Sequence, residues 1–167
     1  MPQPRPGDEI AALLAALNGQ RDHVLGCLEG LPDEALRRAV LPSGWTCLGL
    51  VRHLALDVER FWFRAVVAGE QVDLETGADA WQVAPEVPAE AIFGLYRQET
   101  DLANDIIAAR APDAEPAWWP AEIFPGLAPR PLRDTVLHVL TETACHAGHL
   151  DAVRELIDGR TWLVLTD

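Results

Sequence analysis

Apolar residues recur at helical spacing in four long stretches of this chain, and strand-type alternation is weak throughout. The first stretch runs from about Asp8 to Glu29, with Ile10, Leu13, Leu14, Leu17, Leu25 and Leu28 on one side, and Gly30 and Pro32 stop it. The second runs from about Thr46 to Ala68. Ser43 or Thr46 can cap its start, Leu50, Leu54, Val58, Phe61 and Ala65 form its stripe, and Gly69 ends it. The third spans about Pro88 to Ala111 on a face of Ile92, Leu95, Leu102, Ile106 and Ile107. The fourth spans about Leu132 to Ile157, with Asp134 as its cap and Gly159 as its stop. Four amphipathic helices in one chain can bury their stripes only against one another. The expected fold is therefore an all-α four-helix bundle forming a single domain over residues 1–167.

Two long connections interrupt the pattern, between helices two and three (residues 70–87) and between helices three and four (residues 112–130). Long connections in a compact domain tend to be functional. The first carries Trp81. The second contains "AWWPAEIFPGLAPRP", with Trp118 and Trp119. These indoles can wall a pocket for an apolar substrate or seal one end of the bundle. The terminal "TWLVLTD" can add a short extended piece.

Composition narrows the function. The net charge is −13 and every basic residue is arginine, so a phosphate backbone would be repelled and nucleic acid is not expected as a partner. The alanine- and arginine-rich, lysine-free usage suggests a high-GC bacterial genome. Cys27, Cys47 and Cys145 form neither a disulfide framework nor a zinc knuckle, which fits a reduced cytoplasm. No signal peptide or membrane-spanning stretch is read from the sequence.

The chemistry concentrates in "TETACHAGHL", residues 141–150. At about 100° per residue, His138, Glu142, Cys145, His146 and His149 fall within an arc of about 100° on the fourth helix. Leu137, Leu140, Ala144, Ala147 and Leu150 give that helix its apolar side, so the polar arc lies beside it or faces a cavity. The i, i+4 pair Glu142/His146 can hold one metal ion between them, or Glu142 can pair with an arginine. A metal needs a further ligand from a facing helix, leaving a position open. His53 is the one histidine on helix two, and His23 on helix one is the other available donor. His138 and His149 read as supporting or solvent-facing groups. Asp57, one turn after His53, reads as an exposed carboxylate or a partner of Arg60 or Arg64, with orientation of the His53 ring as the alternative. Cys145 is expected to be buried and structural, and Arg97, Arg130 and Arg133 to be surface groups.

"LPSGWTCLGLVRHLALDVERFWF" followed by "LHVLTETACHAGHLDAVRELIDG" resembles the DinB-like superfamily of bacterial helical bundles, in particular an actinobacterial branch that includes mini-circle proteins. The resemblance spans almost the whole chain. It implies a divalent metal, zinc or nickel with iron as a further option, held by a histidine of helix two and two residues one turn apart on helix four. Those two are often both histidine. In the related mycothiol-dependent maleylpyruvate isomerase branch they look like glutamate and histidine. Carried onto this chain, the ligands are His53, Glu142 and His146, with His149 as an alternative to Glu142. The resemblance further implies a low-molecular-weight thiol such as mycothiol, activated by the metal and transferred to, or used to isomerise, a small electrophile. Trp81, Trp118, Trp119 and His138 would then shape the substrate pocket. A metal-dependent hydrolase and a non-catalytic, stress-related bundle remain as alternatives, and a homodimer is compatible with a bundle of this size.

Overall fold

A computed structural model describes residues 6–74 and 81–162. Helix α1 spans Pro6–Leu28, α2 Asp33–Arg37, α3 Cys47–His53, α4 Ala89–Ala108 and α5 Leu132–Asp158. The chain leaves α3 without a break and continues as a π-helix over Leu54–Val67. Helix α1 lies chiefly along α5, and the π-helix chiefly along α4. The result is the expected all-helical bundle, with one short helix, α2, that the periodicity does not announce. There is no strand among the described residues; Thr161 and Trp162 are irregular, and the remainder of the expected extended tail lies outside them. No helix is long and apolar enough to cross a membrane among the described residues.

The ends follow from local chemistry. The Thr46 hydroxyl caps α3 by accepting from the Gly49 amide at 3.0 Å. Gly30, Gly69 and Gly159 carry positive φ where α1, the π-helix and α5 end. Asp134 is not the α5 cap: Pro131 occupies that position, with no side-chain bond. Asp134 instead places a negative charge in the first turn, where the helix dipole favours it.

The π segment changes which residues face inward. In an α-helix each fourth residue advances by about 40°, so a strict four-residue repeat drifts off the buried side. The wider i→i+5 winding holds it there. Leu54, Val58, Trp62 and Val66 are buried, and so are Ala55, Glu59, Phe63 and Val67. Phe61, expected on the inner stripe, is only half-buried, while Trp62 and Phe63 take the interior. On α5 the inner face is Leu132, Val136, Val139, Thr143, Ala147 and Leu150, whereas Leu137, expected inside, is 45% exposed. The tail of the π-helix is finished by the second long connection, where the Ala117 and Trp118 amides donate to the Val67 and Val66 carbonyls at 3.2 and 3.1 Å.

Charged groups cross the apolar interior. Arg21 of α1 donates to both Glu59 oxygens at 2.8 and 2.5 Å, and its third nitrogen reaches the Asn18 and Asn104 side-chain oxygens at 2.8 and 2.7 Å. One turn and a helix away, Glu99 of α4 accepts from Arg60 at 2.8 Å and from Arg64 at 3.2 Å. Burial drives the Glu59 carboxyl above its ordinary range, against the downward pull of the Arg21 guanidinium. Removing one partner of such a pair leaves the other buried and unanswered. Glu59→Ala is expected to lower the unfolding free energy by about 3–5 kcal/mol in urea titration, whereas Arg97→Ala, which breaks an exposed pair with Glu90, should leave it nearly unchanged. Equal effects of the two substitutions would contradict this assignment.

Candidate metal centre

His53 is the last residue of α3, at the point where the winding widens. Its Nδ1 lies 2.9 Å from Asp57 Oδ2, and its Nε2 lies 3.9 Å from Glu142 Oε1. Glu142 Oε1 is also 3.1 Å from His146 Nε2, one turn on along α5. One ligand atom from each of His53, Glu142 and His146 falls within 4.8 Å of the others, and the two imidazole centroids are 5.2 Å apart. Two elements far apart in sequence thus bring three ligand-type atoms to one point. The imidazoles are 14% and 13% exposed and the carboxylate 40%, so the group opens to solvent on the Glu142 side.

The donor set fits a divalent metal. Two imidazoles and one carboxylate suit zinc, nickel or iron, and three protein ligands leave room for another group. The Asp57 contact places a carboxylate on the nitrogen of His53 that faces away from the cluster, the usual support for a metal-binding histidine. His146 has no such support: its Nδ1 is buried without a hydrogen-bond partner, as is the Thr143 hydroxyl. The cluster could therefore bind a metal, and its two histidines are held unequally.

Asp57 is thus neither a free surface carboxylate nor the partner of Arg60 and Arg64, because those two arginines are drawn to Glu99. His149 is exposed and outside the cluster, 5.5 Å from the His146 ring and 6.3 Å from Trp45. His23 is remote from the centre; it meets Asp151 at 2.9 Å and stacks on Trp162. Cys145, expected to be buried, is exposed on α5. Burial pushes the Cys27 and Cys47 thiols up to about 12 and about 11, so neither supplies a thiolate near neutrality. Arg133 pairs with Glu9 and Arg97 with Glu90, while Arg130 is exposed.

Aromatic residues flank the centre on two sides. Trp81 stacks on His53 at 4.1 Å with an interplanar angle of 16°, and lies 5.8 Å from the His146 ring. Beyond Trp81 is a cavity of about 580 Å³ that Trp45, Thr46, Ser43, Gln82 and Arg37 also line. On the other flank, His138 sits edge-on to Trp62 at 4.8 Å. Trp62 continues into a cluster with Phe124 and Trp119, and Trp118, 41% exposed, meets Phe61. The expected pocket residues therefore divide: Trp81 stacks on a ring of the centre, whereas the ring contacts of Trp118 and Trp119 run to Phe61, Trp62 and Phe124, with His138 against Trp62. Trp45, Trp62 and Phe124 were not marked by the sequence. Trp45 stands beside the cap of α3, and that adjacency was the available signal.

A family model described as mycothiol-S-transferase matches residues 12–159. No curated protein and no solved structure matches the chain.

Burial lowers the His146 ring below the ordinary histidine range, the neighbouring His53 acts in the same direction, and Glu142 opposes both. Burial likewise lowers His138. Both rings are therefore neutral at pH 7. Because the folded values lie below the unfolded one, protons bind the unfolded chain first. The stability these neutral rings contribute is full above the unfolded value of about 6.5 and is lost as pH falls below it through the lower folded values. In metal-free protein the His146 ring should titrate below a free histidine by NMR, and Glu142→Gln should move it lower still. A midpoint at or above the free value would contradict this geometry.

Proposed function

The chain belongs to the mycothiol-S-transferase family, within the DinB-like superfamily, and from that premise we propose that it joins a low-molecular-weight thiol to a small electrophile at a centre held by His53, Glu142 and His146. The observation that carries the reading is the convergence of those three side chains within 4.8 Å, in a chain whose family is named for the transfer of a thiol's sulfur. Mycothiol is the thiol the family name points to, and zinc or nickel, with iron as a third option, is the cation that the donor set suits. Bound there, such a cation acts as a Lewis acid that lowers the pKa of a coordinated thiol and keeps its sulfur as thiolate near neutrality.

The protein's own groups then divide the work. Asp57 fixes the His53 tautomer so that Nε2 is the free nitrogen facing Glu142. Glu142, the most exposed of the three, marks the side from which substrates arrive. The wall formed by Trp62, Trp119 and Phe124 offers apolar surface to the electrophile, and His138, neutral at pH 7, presents a hydrogen-bonding edge beside it. In the transfer the sulfur lone pair forms the new bond to the electrophilic carbon. The leaving group departs with its bonding pair, and the thiol proton passes to solvent.

The test is elemental analysis of untagged protein, followed by zinc and nickel loading and a fluorogenic electrophile assay with monochlorobimane. Stoichiometric metal is expected in the parent and almost none in His53→Ala or His146→Ala, with the mycothiol-dependent rate lost in both. Trp119→Ala should keep its metal and raise KM for the electrophile more than it lowers kcat. Absence of metal under every loading condition would favour a non-catalytic bundle. Turnover indifferent to thiol would favour a hydrolase.

A further inference from the structure

His53 is restrained at two places. Asp57 holds its Nδ1, and the Trp81 indole lies flat against its ring. Trp81 comes from the connection before α4 rather than from a long helix, so its placement depends on what fixes that connection. One clamp is Arg37 of α2, which donates to the Val87 carbonyl at 2.6 Å and the Ala84 carbonyl at 3.3 Å. The other is at Gly49, buried in α3 one turn before His53. A Cβ on Gly49 would overlap the Trp81 carbonyl oxygen and crowd its carbonyl carbon at 3.3 Å. Gly49 is not among the glycines with positive φ, so no unusual backbone conformation calls for glycine there. Glycine is a poor helix former, and what its presence permits here is the close approach of another backbone.

We propose that Gly49 is a positioning residue of the metal centre: the space left by its missing side chain seats the Trp81 backbone, which holds the indole on His53 and fixes the direction of Nε2. The inference rests on the metal-dependent transferase reading for its purpose. The seating itself is independent of any metal. A flat indole on one face and a carboxylate at Nδ1 leave the imidazole little rotation about its side-chain bonds. That restraint is what places Nε2 within 3.9 Å of Glu142. Preorganised ligands bind a cation more tightly because less freedom is lost on binding.

Gly49→Ala, Trp81→Leu and the double variant provide the test, read in two ways. In metal-free parent protein, the indole ring current should shift the His53 ring protons upfield in the NMR spectrum, and each variant should lose that shift. By calorimetry, zinc and nickel should bind about tenfold more weakly to each single variant, and the double variant no more weakly than Trp81→Leu alone, since both act through one contact. A ring shift that survives in Gly49→Ala overturns the proposal, as does parental affinity in Trp81→Leu. Should Gly49→Ala fail to fold, Trp81→Leu decides on affinity alone, and a parental value there overturns the proposal. Should the parent bind no metal, the transferase reading falls, and the ring shift still judges the seating.

Discussion

The ion lattice inside the bundle fixes the register on which everything else depends. Arg21, Glu59, Asn104 and Asn18 lock α1, the π-helix and α4 at one level. Glu99, Arg60 and Arg64 repeat the lock further along the π-helix. Apolar stripes can slide by a turn and still bury similar area. A bidentate guanidinium–carboxylate pair cannot, because a shifted partner leaves a charge without hydrogen bonds in a medium that solvates it poorly. The lattice therefore sets the height of the π-helix against α1 and α4, and the Arg133–Glu9 and His23–Asp151 pairs tie α1 to α5; together they bring His53 level with Glu142 and His146. Arginine, with its planar fork, is the basic residue suited to such a site, and this chain uses no other.

The fold was legible because four helical periods of apolar residues are strong signals and glycine marks the ends of three of them. Within the centre, Glu142 and His146 could be read as a pair from their spacing alone. The assignment of His53 as their companion needed the family resemblance, since His23 satisfied the same bare requirement of a histidine on another helix. Of the stripe expected on the second helix, Leu50, Leu54, Val58 and Ala65 are buried and Phe61 alone was misplaced, because the α-helical period was applied to a stretch that winds more widely. The fourfold repeat from Leu54 to Val67 was visible in the sequence. Only the wider helix makes it a buried face. Leu137 was misplaced for a different reason: Thr143 takes an interior position that polarity argued against. Asp57 was weighed against nearby arginines, and the deciding fact, that Glu99 occupies them, comes from α4 and is invisible locally.

The centre is asymmetric. His53 has a carboxylate at one nitrogen and an indole on its face, while the buried Nδ1 of His146 has no hydrogen-bond partner. One imidazole is fixed before anything binds. The other is aligned mainly by its contact with Glu142, the most solvent-exposed member of the set. The rigid half belongs to α3 and the connection that Arg37 and Gly49 hold in place. The adaptable half belongs to α5 and faces the opening.

The π winding has a consequence for how such a bundle can diversify. Gaining or losing one residue early in the stretch between Leu54 and Val67 would turn the downstream side chains by roughly a quarter of a turn, swinging Trp62 away from His138 and Glu59 away from Arg21. Insertions and deletions in that stretch are thus penalised twice, at the pocket wall and in the interior. In the connection over residues 112–130, the part up to Phe124 is anchored by the Ala117 and Trp118 amides and by the packing of Trp119 and Phe124 on Trp62, whereas the exposed stretch beyond Leu127 is not, and surface loops absorb length changes well. Descendants of this architecture would be free to vary in length there while the triangle of His53, Glu142 and His146 stays as it is.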